Sequence, residues 1–87
     1  MDVRGHWHDV PCDLGSIAIN TGDMIDILTQ GYLPATTHRV LNPHGAAARE
    51  ARMSLPLFLH PAPDVLLAPG RTAADFLQQR LQAIGLL

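Results

Sequence analysis

The chemistry that this sequence could perform centres on a histidine, His38, and on an arginine and a serine that follow it. Residues 35–41 are rich in β-branched side chains and predict a strand. Alternation along that strand places Thr36 and Val40 on the same side as His38. Such small, mostly apolar neighbours favour the neutral imidazole, which is the form that binds a metal ion. An ordinary strand histidine is the alternative, and this pattern alone leaves it open.

The arginine and the serine, Arg52 and Ser54, are two positions apart and face the same side of a strand predicted over residues 52–60. A guanidinium with a hydroxyl beside it suits a carboxylate, because arginine donates charge-assisted hydrogen bonds in a planar fork. The alternative is a surface arginine on an edge strand. Pro56 supports an edge or a bulge, since proline cannot donate to a sheet ladder.

Several elements are predicted to position these residues. Residues 5–10 and 16–20 predict an antiparallel hairpin with a turn at residues 13–15. A helix of about two turns follows over residues 22–29, with Thr21 as its N-cap, Asp23 in its first turn and Gly31 as its stop. The segments between the longer elements predict a turn at 42–45, a loop or frayed helical turn at 46–50 and a short strand within 64–68.

The chain ends in a predicted helix. Thr72 and Asp75, three positions apart, form an acidic variant of the capping box. An apolar stripe continues along the helix to a glycine, Gly85, that fits the C-cap; its members are Phe76, Leu77, Leu81 and Ile84. The sequence therefore predicts one unit of about five short strands and two helices.

Composition limits the class of protein. The chain has 87 residues, of which 47% are apolar and 16% are charged, so we expect one small packed unit. The net charge is −2 and the arginines are spread along the chain, which argues against a nucleic-acid partner. Cys12 is the only cysteine and cannot form an internal disulfide; a small buried or loop residue is favoured over a reactive thiol. No apolar stretch suits a signal peptide or a membrane span, so a cytoplasmic location is expected.

Four short motifs, each weak alone, occur in a characteristic order and spacing. They are Gly5-x-Trp7-x-x-Val10, Asn20-x-Gly22-Asp23, Thr36-x-His38-Arg39-Val40 with Asn42-Pro43, and Arg52-x-Ser54-Leu-Pro56-Leu-Phe58. Together they resemble the C-terminal half of an Fe(II)/2-oxoglutarate-dependent oxygenase domain of the isopenicillin N synthase-like branch.

The resemblance implies a mainly β fold, a partial double-stranded β-helix or jelly roll with one short helix and a C-terminal helix. Residues 1–70 would belong to the jelly roll, and residues 71–87 would form a helix packed on the sheet. His38 would be one Fe(II) ligand, and Arg52 with Ser54 would hold 2-oxoglutarate by its distal carboxylate. In isopenicillin N synthase the matching pair engages the substrate, so the resemblance implies acid binding without choosing the acid.

The chain departs from the family in one respect: it contains no His-x-Asp or His-x-Glu pair to supply the other two metal ligands. One hypothesis is a fragment of a dioxygenase that oxidises a small organic substrate with O2 while 2-oxoglutarate is decarboxylated to succinate. The isolated chain would then be inactive until an N-terminal half completes it. The alternative hypothesis is a catalytically silent truncated protein that associates with another copy or another chain through its strand edges.

Overall fold

The computed structural model describes residues 1–11 and 13–87, and the interpretation of Cys12 therefore lies outside the described residues. The elements are helix α1 (Asp23–Leu28), a 3-10 helix (Gly45–Arg49), strands β1 (Leu66–Ala68) and β2 (Arg71–Thr72), and helix α2 (Ala73–Ala83). The sheet has two antiparallel strands. Within the described residues, no helix has the length and apolarity needed to cross a membrane.

Helix α1 confirms the predicted helix but not its predicted N-cap. The N-cap residue is Gly22, and no side chain caps this end. Thr21, the predicted cap, instead donates its hydroxyl to the Pro34 carbonyl at 2.6 Å. The helix ends at Leu28 with Thr29 as its C-cap, and the chain turns away through Gln30 and Gly31, which have φ values of 52° and 81°. The predicted stop, Gly31, donates its N–H to the Asp26 carbonyl at 2.9 Å.

Strands β1 and β2 form a hairpin around Pro69 and Gly70. Leu66 pairs with Thr72 and Ala68 with Arg71, with an irregularity between the two pairs. Gly70 has a φ of 70°, which glycine adopts without steric cost. The prediction of a short strand within residues 64–68 is confirmed, whereas β2 was not predicted.

Helix α2 begins with the predicted capping box. The Asp75 N–H donates to the Thr72 hydroxyl oxygen at 3.1 Å, and the Thr72 N–H donates to the Asp75 carboxylate at 2.9 Å. The Thr72 hydroxyl donates to the same carboxylate at 2.7 Å. These bonds satisfy amide groups that a helix start leaves unpaired. At the other end, Gly85 follows the C-cap with a φ of 76°.

The hydrophobic core is small and lies between the two helices and the hairpin. Its buried side chains are Met24, Leu67, Ala73 and Phe76, with Ile27 and Leu77 packed against them. Asp23 and Arg80 add an ion pair between α1 and α2, with 3.2 Å between Oδ2 and the guanidinium. This core therefore joins α1 to the C-terminal residues and does not include the predicted site residues.

The longer predicted strands are wrong for the described residues. Residues 5–10, 16–20, 35–41 and 52–60 are not part of a hydrogen-bonded sheet, although the turn at residues 13–16 forms, with the Ser16 N–H donating to the Asp13 carbonyl at 3.0 Å. The Cα radius of gyration is 16.1 Å, against about 12 Å expected for a compact chain of this length. A strand needs a neighbour to satisfy its backbone groups, and these segments do not supply one another.

The capping box gives a stability prediction. We expect Thr72→Ala to lower the free energy of unfolding by about 0.5–2 kcal/mol, because the cap bonds at the start of α2 are lost. Thermal denaturation followed by circular dichroism measures this effect, with the exposed Gln82→Ala as the matched control on the same helix. A melting curve for Thr72→Ala that overlays the control would contradict a stabilising cap.

The pH dependence of this cap has a definite sign. The hydrogen bonds from the Thr72 side chain and backbone lower the pKa of the Asp75 carboxyl below its ordinary value. The contribution of Asp75 is therefore present above the ordinary carboxyl pKa and is lost as the pH falls through the lowered value. The difference in the free energy of unfolding between wild type and Thr72→Ala should therefore become smaller in that acidic range.

Candidate functional site

His38 lies in the extended segment between α1 and the 3-10 helix, and its side chain is exposed. Its Nδ1 is 2.8 Å from the carbonyl oxygen of Thr36. A carbonyl oxygen can only accept, so Nδ1 must carry the proton in this hydrogen bond. In the neutral ring the lone pair is then on Nε2, which is the arrangement of a histidine that binds a metal through Nε2.

Arg52 and Ser54 are also exposed and lie in the extended segment that follows the 3-10 helix. Arg52 lines a cleft of about 400 Å3, which it shares with Asn42, Pro43, Ala47, Ala48 and Glu50. Ser54 is not among the lining residues. Arg52 therefore shares this cleft with residues of the 3-10 helix, and His38 is not one of its lining residues.

The three predicted site residues are not bonded to one another in the described part of the chain. Across residues 1–11 and 13–87, no hydrogen bond or ion pair joins His38 to Arg52 or to Ser54. The same residues contain no group of three His, Cys, Asp or Glu side chains that could hold a metal ion. His38 thus fits one position of an iron site, but the donor set described here does not fit a complete one, which needs two imidazoles and a carboxylate.

A contact that the sequence analysis missed links His6 and His8 to Asp2. The Nε2 atom of His8 is 2.7 Å from the Asp2 carboxylate, and the Nδ1 atom of His6 is 3.6 Å from it. The hydrogen bond from His8, followed by the backbone N–H of His6, lowers the pKa of the Asp2 carboxyl. The cluster could have been predicted from a turn signal, since Asp2 lies shortly before Gly5, which has a φ of 82°.

A second unpredicted contact joins the N-terminal residues to the segment that contains His38. The guanidinium carbon of Arg39 lies 4.1 Å from the centre of the Trp7 ring, within the range of a cation–π interaction. Trp7 belongs to the first of the four motifs and Arg39 to the third. The contact therefore shows that at least two of the motifs meet in space.

Comparison with known proteins establishes the class of protein. The family model described as "2OG-Fe(II) oxygenase superfamily" matches residues 1–61, which include all four motifs and the three predicted site residues. The chain belongs to the 2OG-Fe(II) oxygenase superfamily, and the resemblance inferred from the motifs is confirmed. Fe(II) and 2-oxoglutarate are accordingly the cofactors of the type of domain from which these residues derive.

Individual relatives agree with the family. The chain is 33% identical over 79 residues to a probable 1-aminocyclopropane-1-carboxylate oxidase of Dianthus caryophyllus, covering 91% of the chain and 23% of that protein. It is 37% identical over 67 residues to feruloyl CoA ortho-hydroxylase 1 of Arabidopsis thaliana, covering 77% of the chain and 18% of that protein. A 1-aminocyclopropane-1-carboxylate oxidase of Prunus mume is 35% identical over 71 residues, covering 82% and 21%.

The chain spans about a fifth of the length of these curated relatives. No solved structure gives a significant match to it. The comparisons thus identify the family to which the chain belongs.

Proposed function

We propose that this chain supplies one Fe(II) ligand and the acid-binding pair of a 2-oxoglutarate-dependent dioxygenase that oxidises a small organic substrate. The observation that carries the proposal is the family match over residues 1–61, which includes His38, Arg52 and Ser54. In the complete domain, bound Fe(II) would supply the O2 chemistry that couples decarboxylation of 2-oxoglutarate to oxidation of the substrate, and His38 would be one of its ligands.

The role of His38 in this proposal is to bind Fe(II) through Nε2. The hydrogen bond from Nδ1 to the Thr36 carbonyl supports that role, because it fixes the proton on the nitrogen that does not bind the metal. The two further ligands, an imidazole and a carboxylate, would come from a His-x-Asp pair on another segment of the domain. The complete domain would have the jelly-roll fold implied by the family.

The role of Arg52 and Ser54 is to hold the distal carboxylate of 2-oxoglutarate. Arg52 offers a fixed positive charge, and Ser54 adds a neutral donor two positions away. Their exposure supports this role, since both side chains are available to a ligand. The relatives are named for substrates as different as 1-aminocyclopropane-1-carboxylate and feruloyl CoA, so only a small organic substrate is proposed here.

A second candidate function, association through exposed strand-like segments, is favoured by a row of apolar side chains. Met53, Leu55, Leu57 and Leu59 occupy alternate positions, and each is more than four-fifths exposed. Alternate residues of an extended segment share one side, so this row forms one apolar face when a partner strand pairs with it. In the dioxygenase proposal the partner is the rest of the barrel; in the second candidate it is another copy or an unrelated chain.

The proposal is tested by completing the domain. The 87-residue chain should be mixed or co-expressed with a segment that carries the upstream His-x-Asp pair of a relative. We expect succinate formation that requires Fe(II), 2-oxoglutarate and both polypeptides, because only their combination supplies three metal ligands. The chain alone should bind Mn(II), an Fe(II) surrogate, only weakly in calorimetry.

Two outcomes would contradict the dioxygenase proposal. One is stoichiometric micromolar Mn(II) binding by the chain alone that is lost in His38→Ala, since the other ligands would then come from this chain. The other is a stable complex of the two polypeptides that loads Fe(II) but forms no succinate. Sedimentation of the chain alone that shows concentration-dependent oligomers, together with no complex formation, would favour the second candidate.

A further inference from the structure

Thr21 connects the start of α1 to the segment that leads to His38. The Thr36 N–H donates to the Thr21 carbonyl at 3.0 Å. The Thr21 hydroxyl lies 2.6 Å from the Pro34 carbonyl and 3.1 Å from the Thr36 hydroxyl. One residue thus makes three hydrogen bonds to residues 34–36, and it does so with both its backbone and its side chain.

The directions of these bonds follow from the number of protons available. A carbonyl oxygen can only accept, so the single hydroxyl proton of Thr21 is given to Pro34. The hydroxyl of Thr36 must then donate its own proton to the oxygen of Thr21. The backbone of Thr36 and its side chain are therefore both held by Thr21.

The carbonyl of Thr36 is the group that accepts the Nδ1 proton of His38 at 2.8 Å. Because Thr21 fixes both the N–H and the side chain of Thr36, it also restricts where that carbonyl can point. Asp26 of α1 adds a further anchor, since its carboxylate accepts the Ala35 N–H at 2.8 Å. The carbonyl that accepts from His38 therefore belongs to a segment that four hydrogen bonds hold to Thr21 and to α1.

We propose that Thr21 is a positioning residue for His38: acting through Thr36, it holds the imidazole in the Nδ1–H form, with the lone pair on Nε2. The relevance of this tautomer to Fe(II) binding rests on the proposed function. Its structural part, the link between the Thr21 hydroxyl and the tautomer of His38, stands on the hydrogen bonds alone.

This inference assigns Thr21 a role different from the one its sequence position suggests. A threonine directly before a helix is commonly an N-cap, but here Gly22 occupies the cap and the hydroxyl is directed to Pro34. The loss of a cap would weaken α1, whereas the loss of the Thr21 hydroxyl should change the ring of His38. The two roles therefore predict different readouts.

The test is the tautomer of His38, read from the imidazole nitrogen chemical shifts by NMR in the full chain without metal, at a pH where the ring is neutral. We expect the Nδ1–H form to dominate in the wild type and to lose its dominance in Thr21→Val, which removes the hydroxyl and keeps the branched shape. Thr21→Ser keeps the hydroxyl and should restore the wild-type shifts.

Thr29→Val is the matched control. The Thr29 hydroxyl also donates to a carbonyl, that of Ile25 at 2.7 Å, and it accepts the Leu33 N–H at 3.0 Å, but it makes no hydrogen bond to residues 34–38. This variant should leave the His38 nitrogen shifts unchanged. Equal shifts in Thr21→Val and Thr29→Val would overturn the proposal.

A dominant Nε2–H form in the wild type would also overturn it, even if Thr21→Val does not fold. Because the measurement uses neither metal nor turnover, its failure is distinct from failure of the dioxygenase proposal. If Thr21→Val loses the Nδ1–H form and the completed domain is nevertheless inactive, the result supports Thr21 as the residue that positions His38. Only the proposed binding of Fe(II) is then contradicted.

Discussion

His38→Ala is expected to abolish Fe(II)-dependent turnover when the chain is completed by a segment with the His-x-Asp pair. The substitution removes one of three protein ligands, and two ligands do not hold Fe(II) in the required facial arrangement. Changes to residues that only support a metal ligand already cost about 10- to 100-fold, so loss of the ligand itself should exceed about 100-fold. Succinate formation at saturating Fe(II) measures the effect.

The control for this prediction is His44→Ala. His44 precedes the 3-10 helix and makes no side-chain cap bond to it, so its replacement should leave turnover within error of the wild type. Retained Fe(II)-dependent turnover in His38→Ala would show that another histidine binds the metal. His6 and His8 would then be the residues to replace next, since they already converge on the Asp2 carboxylate.

Arg52→Ala is expected to raise the apparent KM for 2-oxoglutarate by roughly 10- to 150-fold in the completed domain. The loss of a hydrogen bond from a charged donor to a carboxylate costs about 1.5–3 kcal/mol, and this cost is mainly one of binding. Ser54→Ala should raise the KM by only about 2- to 13-fold, because a neutral hydrogen bond contributes about 0.5–1.5 kcal/mol. Steady-state kinetics with 2-oxoglutarate varied at saturating iron separates the two.

Arg49→Ala is the matched control for the loss of a positive charge, because Arg49 ends the 3-10 helix beside the same cleft but is not one of its lining residues. It should leave the KM for 2-oxoglutarate unchanged. If Arg52→Ala leaves that KM unchanged and raises the KM for the organic substrate, the arginine and serine bind the substrate, as in isopenicillin N synthase. An effect of equal size in Arg49→Ala would indicate a nonspecific electrostatic contribution.

The elements that could be predicted from the sequence are those whose signals are local. The capping box of α2 depends on two residues three positions apart, and both the pattern and the bonds agree. Helix α1 was found because its apolar residues and its glycine stop lie within one short window. The cap of α1 was predicted wrongly because the Thr21 hydroxyl bonds to a residue 13 positions away, which no local pattern encodes.

The longer strands were predicted wrongly because a strand is defined by its partner, whereas the short strand within residues 64–68 pairs with its neighbour in a local hairpin. Residues 35–41 and 52–60 have suitable side chains, but no described segment of the chain pairs with them. The same holds for the site residues. The motifs predict which residues belong to the site, but the arrangement of those residues in space depends on strand pairing. The contact of Trp7 with Arg39 shows that part of that placement is present.

The position of the core, between α1 and the residues that follow the family match, has a thermodynamic consequence. The packing that stabilises this chain is shared by α1, the hairpin and α2, so these elements should unfold as one cooperative unit. The segments that carry His38 and Arg52 contribute little buried area to it. Ordering such segments costs about 1–2 kcal/mol per residue in backbone entropy. This cost makes the binding free energy of the segment that completes the domain less favourable. Completion should therefore have the large negative heat-capacity change of coupled folding and binding, with a modest affinity for the area buried.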